Sequence, residues 1–336
     1  MQLYRKKLLK LSKLNMSNLH VGHSEIATFA ESNVNLKRED AEDLRAQVNR
    51  LRDRLESYLK EHPDFSLKKM ILSGSLAKGT ALKFINDVDV AMYVSAGDAP
   101  ANMNELSSWL ASRLREAFPN FKPEQVVENP HTLTVLFSGS GLKVDVVPIL
   151  YEGDPDWKGY LVSKHTGEKI LTSIPLHIDF IRRRKVKHDV HYAQIVRLLK
   201  YWAKNQKTEN ENFRFKSFMI ELLVSHLADN GLVFDNYPEA LANIFAYIAK
   251  DAFKSPIIFS DHYDAQSCEE TAHPIRIWDP INPKNNTAKL YTDQQKNTII
   301  EAALDAGDAI DSALRCPTKS DSLRYWRKIF GPTFDA

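Results

Sequence analysis

Two short stretches decide the fold of this chain: Ile71-Leu72-Ser73-Gly74-Ser75 and, beginning twelve residues after Ser75, Asp87-Val88-Asp89-Val90. The first is typical of a strand that runs into a Gly-Ser turn. In the second, Asp87 and Asp89 are two positions apart on a strand, so both carboxylates point to the same face. Two carboxylates about 4 Å apart repel each other by roughly 4 kcal/mol at an effective dielectric constant of about 20. Beside apolar valines, such a pair requires a cation.

The Gly-Ser turn predicts an anion-binding site. Gly74 allows the backbone to approach an anion closely, and Ser75 begins a short helix whose free N–H groups favour phosphate. A Gly-Ser pair after a strand is usually no more than a turn. The aspartates that follow it give these residues a functional interpretation.

A third carboxylate, Asp145, lies in the apolar stretch Leu142-Lys143-Val144-Asp145-Val146-Val147. A charged residue in such a run is rarely buried without a partner. If this strand lies beside the strand of Asp87 and Asp89, three carboxylates converge. Such hard oxygen ligands suit Mg²⁺ or Mn²⁺, with substrate phosphates and water as further ligands. Two ions held close together can activate an attacking hydroxyl and stabilise a departing pyrophosphate.

The periodicity of the rest of the chain predicts an α/β (α+β) bilobal fold, with a mixed-sheet catalytic lobe and a helical second lobe. We expect helices over 36–61, 104–118, 192–205, 215–230, 238–253 and 293–314, and strands over 69–72, 88–94, 132–137, 142–150 and 256–260. The predicted domains are a sheet lobe with the N-terminal spine helix over 1–189, a helical lobe over 190–330 and a flexible tail over 331–336.

Composition limits the alternatives. The chain has 336 residues, and 45 Lys and Arg against 43 Asp and Glu leave a formal charge of +2, so affinity for polyphosphate must come from local clusters. No stretch has the roughly 20 apolar residues needed to cross a bilayer. The basic segment Met1 to Leu14 is typical of a short amphipathic helix, not of a signal peptide. With only two cysteines, we expect a cytoplasmic protein.

The combination of Gly-Ser, Asp-x-Asp and a later Asp on a neighbouring strand resembles the polymerase-β-like nucleotidyltransferase superfamily. This resemblance implies that Asp87 and Asp89 hold both metal ions. It also implies that Asp145 holds the ion that activates the acceptor hydroxyl.

Three further segments resemble the oligoadenylate-synthase-like branch, which includes the cGAS/DncV-like enzymes known as CD-NTases. They are Val196-Arg197-Leu198-Leu199-Lys200-Tyr201-Trp202, Phe215 to Leu223, and Trp278 to Asn286. The resemblance covers roughly Leu72 to Asn286. It implies synthesis of a cyclic or short oligonucleotide second messenger from NTPs, ATP or GTP or both, in bacterial anti-phage signalling. It also implies that no nucleic acid is required.

The same resemblance assigns three nucleotide-binding residues in the helical half. Lys200 would place an ammonium group against the triphosphate, Ser217 would add a hydroxyl at the start of a helix, and Phe218 would stack on a base. The alternatives are that Lys200 reaches solvent and that Phe218 is a core aromatic. Lys78 and Lys83, near the Gly-Ser turn, are weaker phosphate candidates.

Several alternatives stay open. The runner-up activity is a template-independent polymerase acting on RNA ends, of the CCA- or poly(A)-adding type. A second alternative is a nucleic-acid sensor or scaffold with a vestigial site. The basic run Arg182-Arg183-Arg184-Lys185 with Lys187 is either solvated or an RNA-binding patch. His262, Cys268 and His273 supply three local ligands where zinc sites have four, and are expected to be loop residues. The segment from Asp279 to Asn286 is expected to be a structural clamp.

The C-terminus is the last feature of interest. Gly331-Pro332 should end the final helix, so that Thr333 to Ala336 project without packing. In some bacterial systems of the resembling family, such a tail is joined through its terminal carboxylate by a ubiquitin-ligase-like partner. Ala336 is therefore a candidate conjugation point, and a frayed end is the alternative.

Overall fold

The computed structural model describes residues 20–62, 67–85, 87–129, 132–163 and 167–335. The expected N-terminal helix and Ala336 lie outside these residues. The described chain divides into two compact units, which we call the sheet unit (36–182 and 280–285) and the helical unit (20–35, 183–279 and 286–335). The division falls at 182/183 rather than at 189/190, and residues 20–35 belong with the helical unit.

The described part of the sheet unit contains seven strands and three helices, and the first turns of a fourth helix end it. The elements are α2 Arg38–Glu61, β1 Leu67–Leu72, α3 Gly74–Lys78, β2 Asp87–Ser95, α4 Leu106–Ala117, β3 Val126–Glu128, β4 Leu133–Phe137, β5 Leu142–Tyr151, β6 Gly159–Val162, β7 Lys169–Thr172 and the start of α5 Ile174–Glu209. Short 3₁₀ turns at Met103–Glu105 and Pro123–Gln125 precede α4 and β3.

The described part of the helical unit contains the rest of α5 and five further helices. They are α1 His23–Phe29, which continues as a π-helical turn at Ala30–Val34, α6 Ser217–Asp229, α7 Tyr237–Asp251, α8 Asp293–Arg315 and α9 Lys319–Phe330. A 3₁₀ turn at Ala265–Ser267 lies in the connection between α7 and α8.

The sheet has the strand order β1-β2-β5-β4-β3, and β6 extends β5 and is itself paired with β7. Strands β2 and β5 run parallel, and their register places Asp89 opposite Asp145. The pairs β1–β2, β4–β5 and β3–β4 are antiparallel. The sheet is therefore mixed, as predicted. It also brings the two predicted aspartate strands side by side.

The two faces of the sheet differ. Val88, Val90 and Met92 of β2 are buried in the main core, to which α2 and α4 contribute their apolar faces. The opposite face carries a small cluster that includes Ala91 and Tyr93. Because side chains alternate along a strand, Asp89 shares this second face and points away from the main core.

Helix α2 confirms the expected spine helix. Its buried residues include Val48, Leu51, Leu55 and Tyr58, at spacings of three and four. Leu44 and Leu59 are half-buried against the same core.

Helix α5 is the largest departure from the predicted elements. It has 36 residues, where the sequence predicted a helix over 192–205 only. The charged run from Arg182 to Lys187 interrupts the apolar periodicity that identifies helices, so the first half of α5 was missed. The boundary between the two units falls inside this helix, which is why no linker composition marks it.

Short strands account for the other differences. Strands β3, β6 and β7 have three or four residues each and were not predicted, because so few residues show no alternation. The predicted strand over 256–260 is wrong, since Ile257 forms only an isolated bridge with Ile277.

The expected flexible tail is wrong for its described part, 331–335. Gly331 ends α9 as predicted, but Phe334 is fully buried. Its ring lies 4.7 Å from Phe29 and 5.5 Å from Phe330, measured between centroids. The Arg327 side chain also donates a hydrogen bond to the Phe334 carbonyl at 3.0 Å. The Gly-Pro pair ends the helix, but burial of the large aromatic Phe334 side chain still anchors the residues that follow it.

The segment around residues 279–286 is an ordered turn, as predicted. In the helical unit, the Asn286 side chain accepts from the Ile277 N–H and donates to the Ile275 carbonyl. In the sheet unit, Asn282 donates to the Leu171 carbonyl at 3.1 Å. These asparagines replace backbone partners that an irregular segment lacks.

None of the helices among the described residues has the length and apolar character that a membrane span requires.

Candidate active site

The paired strands β2 and β5 bring two predicted ligands together. Asp89 and Asp145 are direct partners in the parallel ladder, so their side chains emerge from the same face of neighbouring strands, whose backbones are about 4.8 Å apart. Both are half-buried. Asp87 begins β2 on the same face but is exposed, and its ladder partner is Lys143.

The Gly-Ser turn is held directly against Asp89. The Ser73 N–H donates to the Asp89 carbonyl at 2.8 Å. Gly74 has φ +62°, and a Cβ atom there would lie 1.8 Å from Oδ2 of Asp89. Any larger residue would therefore collide with the carboxylate, and would also be strained at this φ. Ser75 follows in the first turn of α3, and its carbonyl accepts from Thr80 at 2.9 Å.

A hydrogen-bond chain that the sequence did not reveal orients Asp145. Thr134 lies opposite Asp145 in the β4–β5 ladder and donates to its Oδ1 at 2.6 Å. Asn129 in turn donates to the Thr134 hydroxyl at 3.0 Å. The available signal was a threonine within the apolar strand 133–137, but its partner depends on a register that only the structure gives.

The donor set fits a divalent cation. Asp89 and Asp145 provide hard carboxylate oxygens on one face, and the missing side chain of Gly74 lets Oδ2 of Asp89 lie directly against the turn. Mg²⁺ takes a few protein carboxylates and completes its octahedron with phosphates and water. Within the described ranges, however, no three His, Cys, Asp or Glu side chains are grouped closely enough to hold a metal. The structure thus brings together two of the three expected aspartates, with Asp87 beside them on the same strand.

The predicted nucleotide-binding residues of the helical half lie in the helical unit. Lys200 is buried, and its Nζ lies 2.6 Å from Oε1 of the equally buried Glu221. The sequence predicted an ammonium group facing a triphosphate, and it did not predict this internal carboxylate. Ser217 is the exposed first residue of α6, as expected, and Phe218 beside it is half-buried.

Lys216 is a candidate that sequence reasoning missed. It immediately precedes α6, is exposed, and its backbone N–H donates to the Tyr291 hydroxyl at 3.0 Å. The pKa of its ammonium group is lowered. The main cause is that the surrounding protein partly desolvates the group, and the second cause is the charge of the nearby Arg214 guanidinium. An anion would relieve this repulsion, so the start of α6 offers a cation next to Ser217. Its position directly before Ser217 was the available signal.

Two comparisons with known proteins decide the family. A family model described as the Second Messenger Oligonucleotide or Dinucleotide Synthetase domain matches residues 22–177. The chain is also 54% identical over 319 residues to the cyclic AMP-AMP-AMP synthase of Escherichia coli (strain MS 115-1), a match that covers 95% of this chain and 99% of the relative. The chain belongs to the CD-NTase family.

Solved CD-NTase structures agree with this assignment. The structure of E. coli MS115-1 CdnC with ATP has a TM-score of 0.89 at 53% identity, covering 94% of this chain and 100% of that one. Vibrio cholerae DncV in complex with ATP and GTP has a TM-score of 0.65 at 12% identity, covering 91% and 94%. At that identity the likeness to DncV shows the fold alone.

As a CD-NTase, the chain is a nucleotidyltransferase that makes a cyclic or short oligonucleotide from nucleoside triphosphates. The expected branch is confirmed. The two alternatives, an RNA-end polymerase and a sensor with a vestigial site, are not the activities named for these relatives. Enzymes of this family are generally metal-dependent, which agrees with the carboxylate pair.

The basic run in this CD-NTase is only partly at the surface. Arg184 is buried, and its guanidinium donates to Asp229 and Asp261 at 3.0 Å. It is therefore neither solvated nor free to bind RNA, which corrects the prediction at this position. Arg183, by contrast, is exposed and lies 3.5 Å from Asp261.

The three candidate zinc ligands are not grouped closely together among the described residues. The His262 Nε2 atom lies 3.2 Å from Nη2 of Arg183. Cys268 is half-buried, and burial raises the pKa of its thiol. Together with His273 these residues belong to the described part of the chain, in which no group of three potential ligands is close enough to hold a metal.

Proposed function

We propose that this enzyme makes a cyclic trinucleotide from three molecules of ATP. The proposal draws on the cyclic AMP-AMP-AMP synthase of E. coli, which shares 54% identity over nearly its whole length. The likeness to a CdnC structure solved with ATP points to the same substrate. The observation in this chain that carries the proposal is the facing pair of Asp89 and Asp145 beside the Gly74 turn.

Three carboxylates are proposed as the metal ligands and catalytic residues: Asp87, Asp89 and Asp145. Two Mg²⁺ or Mn²⁺ ions bound there would neutralise these carboxylates and stabilise charge on the reacting phosphates. The Thr134 hydroxyl donates a hydrogen bond to Oδ1 of Asp145. This bond fixes the orientation of the carboxylate, and with it the direction of the lone pairs that remain for a metal ion. Because Gly74 has no side chain, a phosphate can approach the backbone closely at this position.

The triphosphate is proposed to lie on Gly74, Ser75, Lys200 and Ser217, with a base on Phe218. Ser75 and Ser217 can each donate a hydroxyl hydrogen bond to a phosphate oxygen. Lys200 must exchange Glu221 for phosphate if it is to take this role, because its ammonium group is already paired. Lys216 adds a cation next to Ser217, and within the described residues it forms no ion pair that would compete with phosphate.

The reaction itself is a nucleotidyl transfer. A ribose hydroxyl of one nucleotide attacks the α-phosphorus of a second and loses its proton, and the bond to the pyrophosphate leaving group breaks. Three such steps, the last within one linear molecule, close a ring of three AMP units and release three pyrophosphates. The residues of the chain orient the attacking hydroxyl and hold the triphosphate in place. Such positioning accounts for a large part of the lowering of the activation free energy in such transfers.

The test is an incubation of the purified protein with all four NTPs and Mg²⁺ or Mn²⁺, without added nucleic acid. After phosphatase treatment, mass spectrometry should find a product with the mass of cyclic tri-AMP. The Asp87→Asn/Asp89→Asn double variant should make none, while its thermal stability stays equal or rises slightly because two repelling charges are gone.

The matched control is Asp43→Asn/Asp98→Asn, which removes two exposed carboxylates of the same unit. It should retain parental activity. A product that contains another base would contradict the proposal that the product is cyclic tri-AMP. Label transferred only to added tRNA would instead establish an RNA-end polymerase.

A protein partner is a further part of the proposal. E. coli MS115-1 CdnC has been solved as a complex with HORMA-deltaN, which favours a HORMA-type partner for this chain. A ubiquitin-ligase-like partner acting on Ala336 is the second candidate. The burial of Phe334 holds the chain in place two residues before Ala336. With NTPs as substrates and an anti-phage role, the proposed location is the cytoplasm.

A further inference from the structure

A concave cavity of about 610 Å³ lies in the sheet unit at the open edge of β1. Helix α2 forms one side, and the first turns of α5 form the other. We call it the basic trough. Its cationic residues are Arg45, Arg52, Lys68, Lys69 and Arg182, and Glu56 is the one carboxylate among the described residues that line it.

The cations of the basic trough are not neutralised by the described chain. None of the five forms a salt bridge within the ranges that the structure covers. Arg52 donates only to the Met70 carbonyl, at 3.5 Å, and the Lys69 ammonium group lies 4.2 Å from the centre of the Trp157 ring. Elsewhere the protein pairs its inward-facing cations, as Lys200 and Arg184 show. Unpaired like charges around one cavity attract a multivalent anion.

The basic trough also has apolar lining residues, Met70, Leu72, Ala77 and Ile178, which we call its floor, and we call its cations the rim. The cavity therefore combines cations with apolar groups on which a flat base or a sugar can lie. Cavities of several hundred Å³ suit small ligands. An inorganic anion would use the rim alone, whereas a nucleotide would use both parts.

The distribution of charge favours a compact ligand over a nucleic-acid duplex. A duplex binds through cations spread along a track, because each neutralised phosphate adds to its affinity. Here the cations are gathered in one concavity, and the exposed positions of α2 outside it carry both signs of charge, with Glu42 and Asp53 as well as Arg50 and Arg54. A convex duplex laid over the trough would therefore meet carboxylates as well as cations.

We propose that the basic trough is a second nucleotide site, which takes a nucleoside triphosphate or a short linear oligonucleotide. The phosphates contact the five cations, and the base rests on the apolar floor. The choice of a nucleotide among polyphosphates rests on the proposed function, since ATP and its linear products are the anions that this enzyme handles. The site is distinct from Asp89 and Asp145, neither of which lines it.

The position of the basic trough connects it to catalysis. Leu72 lies two residues before Gly74, and Ala77 lies two residues after Ser75, and both line the cavity. A ligand in the trough therefore contacts the strand end and the short helix that together hold the Gly-Ser turn against Asp89. Occupancy should stabilise one arrangement of that turn, which makes the trough a regulatory site.

The experiment measures lysine acetylation on the full-length protein in EDTA, with and without ATP. At low conversion with an N-hydroxysuccinimide ester, quantitative mass spectrometry gives the rate at Lys68 and Lys69. Saturating ATP should slow both rates severalfold and leave the exposed Lys60 unchanged. Inorganic triphosphate should protect more weakly, because it does not use the apolar floor. The readout requires no synthesis of product, so it remains valid if the proposed function fails.

The variant Arg45→Gln/Arg182→Gln should weaken protection by about tenfold or more in ATP concentration, because charge-assisted contacts to phosphate are strong. Arg50→Gln/Lys122→Gln removes two exposed charges of the same unit outside the trough and should protect like the parent. Unchanged acetylation at Lys68 and Lys69 with ATP would overturn the proposal. Protection by a 40-base-pair DNA duplex but not by ATP would also overturn it, in favour of a nucleic-acid surface.

Discussion

At the scale of single residues, Gly74 is under a severe steric constraint. A Cβ at this position would lie 1.8 Å from Oδ2 of Asp89, and its φ of +62° is unfavourable for other residues. Gly74→Ala should therefore abolish nucleotide synthesis, because either the turn or the carboxylate must move. Phosphatase-resistant product, quantified by mass spectrometry, checks this.

Gly141→Ala is the control that separates the two effects. Gly141 has φ +70° but nothing within 4 Å of an added Cβ, so the variant should lose about 1–2 kcal/mol of stability from backbone strain alone. Its synthesis of product should be intact. Equal activities for the two variants would show that contact with Asp89 does not matter.

Local patterns in the sequence single out the proposed catalytic residues, but they do not predict how these residues are arranged around one another. Asp87 and Asp89 share a strand face by simple alternation. The meeting of Asp89 with Asp145 depends on a parallel pairing between residues 56 positions apart, which no local pattern encodes. Thr134 was missed for the same reason, because its hydrogen bond to Asp145 follows from the register of β4 on β5.

At the scale of elements, helices α5 and α6 are joined by the buried pair of Lys200 and Glu221. Glu221→Gln leaves a buried ammonium group without its counter-charge and should cost about 3–5 kcal/mol of unfolding free energy. Lys200→Met/Glu221→Leu removes both charges and should be close to neutral in stability. Urea denaturation measures both values.

The same double variant tests whether Lys200 also binds the triphosphate. If it does, the folded double variant should show a KM for ATP raised several-fold. Ser217→Ala, which removes only a surface hydroxyl, sets the scale for the loss of a neutral phosphate contact. A KM equal to that of the parent would limit Lys200 to holding the two helices together.

The end of α9 carries a prediction about the last residues. Phe334 packs on Phe29, Trp326 and Phe330. Phe334→Ala should cost about 3–5 kcal/mol, as is usual for a buried Phe→Ala change. Removal of Asp335 and Ala336 should leave the melting temperature and nucleotide synthesis unchanged. If Phe334→Ala melted with the parent, the anchor would be dispensable.

Elements with sustained periodicity were predicted closely, and the rest were not. The bounds of α2, β2, β5 and α8 differ from the predicted ones by one or two residues. The first half of α5 was not predicted, because nothing in the sequence distinguishes the buried Arg184 from the exposed charged residues beside it. Its partners Asp229 and Asp261 are brought to it only by the tertiary fold.

At the scale of the whole molecule, this Arg184 cluster contributes to stability in a pH-dependent way. Burial alone would raise the pKa of Asp261, but hydrogen bonds and charge from Arg184 outweigh burial and lower it. The contribution is complete above the ordinary carboxyl pKa of 3.8. It is lost as the pH falls through the lowered folded-state value, because the unfolded chain then binds the proton more readily.

The free energy of unfolding should therefore fall with acidification below about pH 4, and less steeply in Asp261→Asn than in the parent. Asp305→Asn, at an exposed position of α8, should keep the slope of the parent. Denaturation curves recorded across this pH range give the three slopes. Identical slopes for Asp261→Asn and the parent would remove Asp261 from the account of acid stability.

The parallel pairing of β2 and β5 also has a consequence for how the chain folds. Antiparallel neighbours can form as local hairpins, but a parallel pair requires a crossover. Here the crossover contains α4, β3 and β4, so Asp89 and Asp145 meet only after a long loop has closed. Such non-local contacts form slowly compared with helices. A refolding chain should thus regain most of its helix content before it regains the proposed catalytic centre, and nucleotide synthesis should be among the last properties to return.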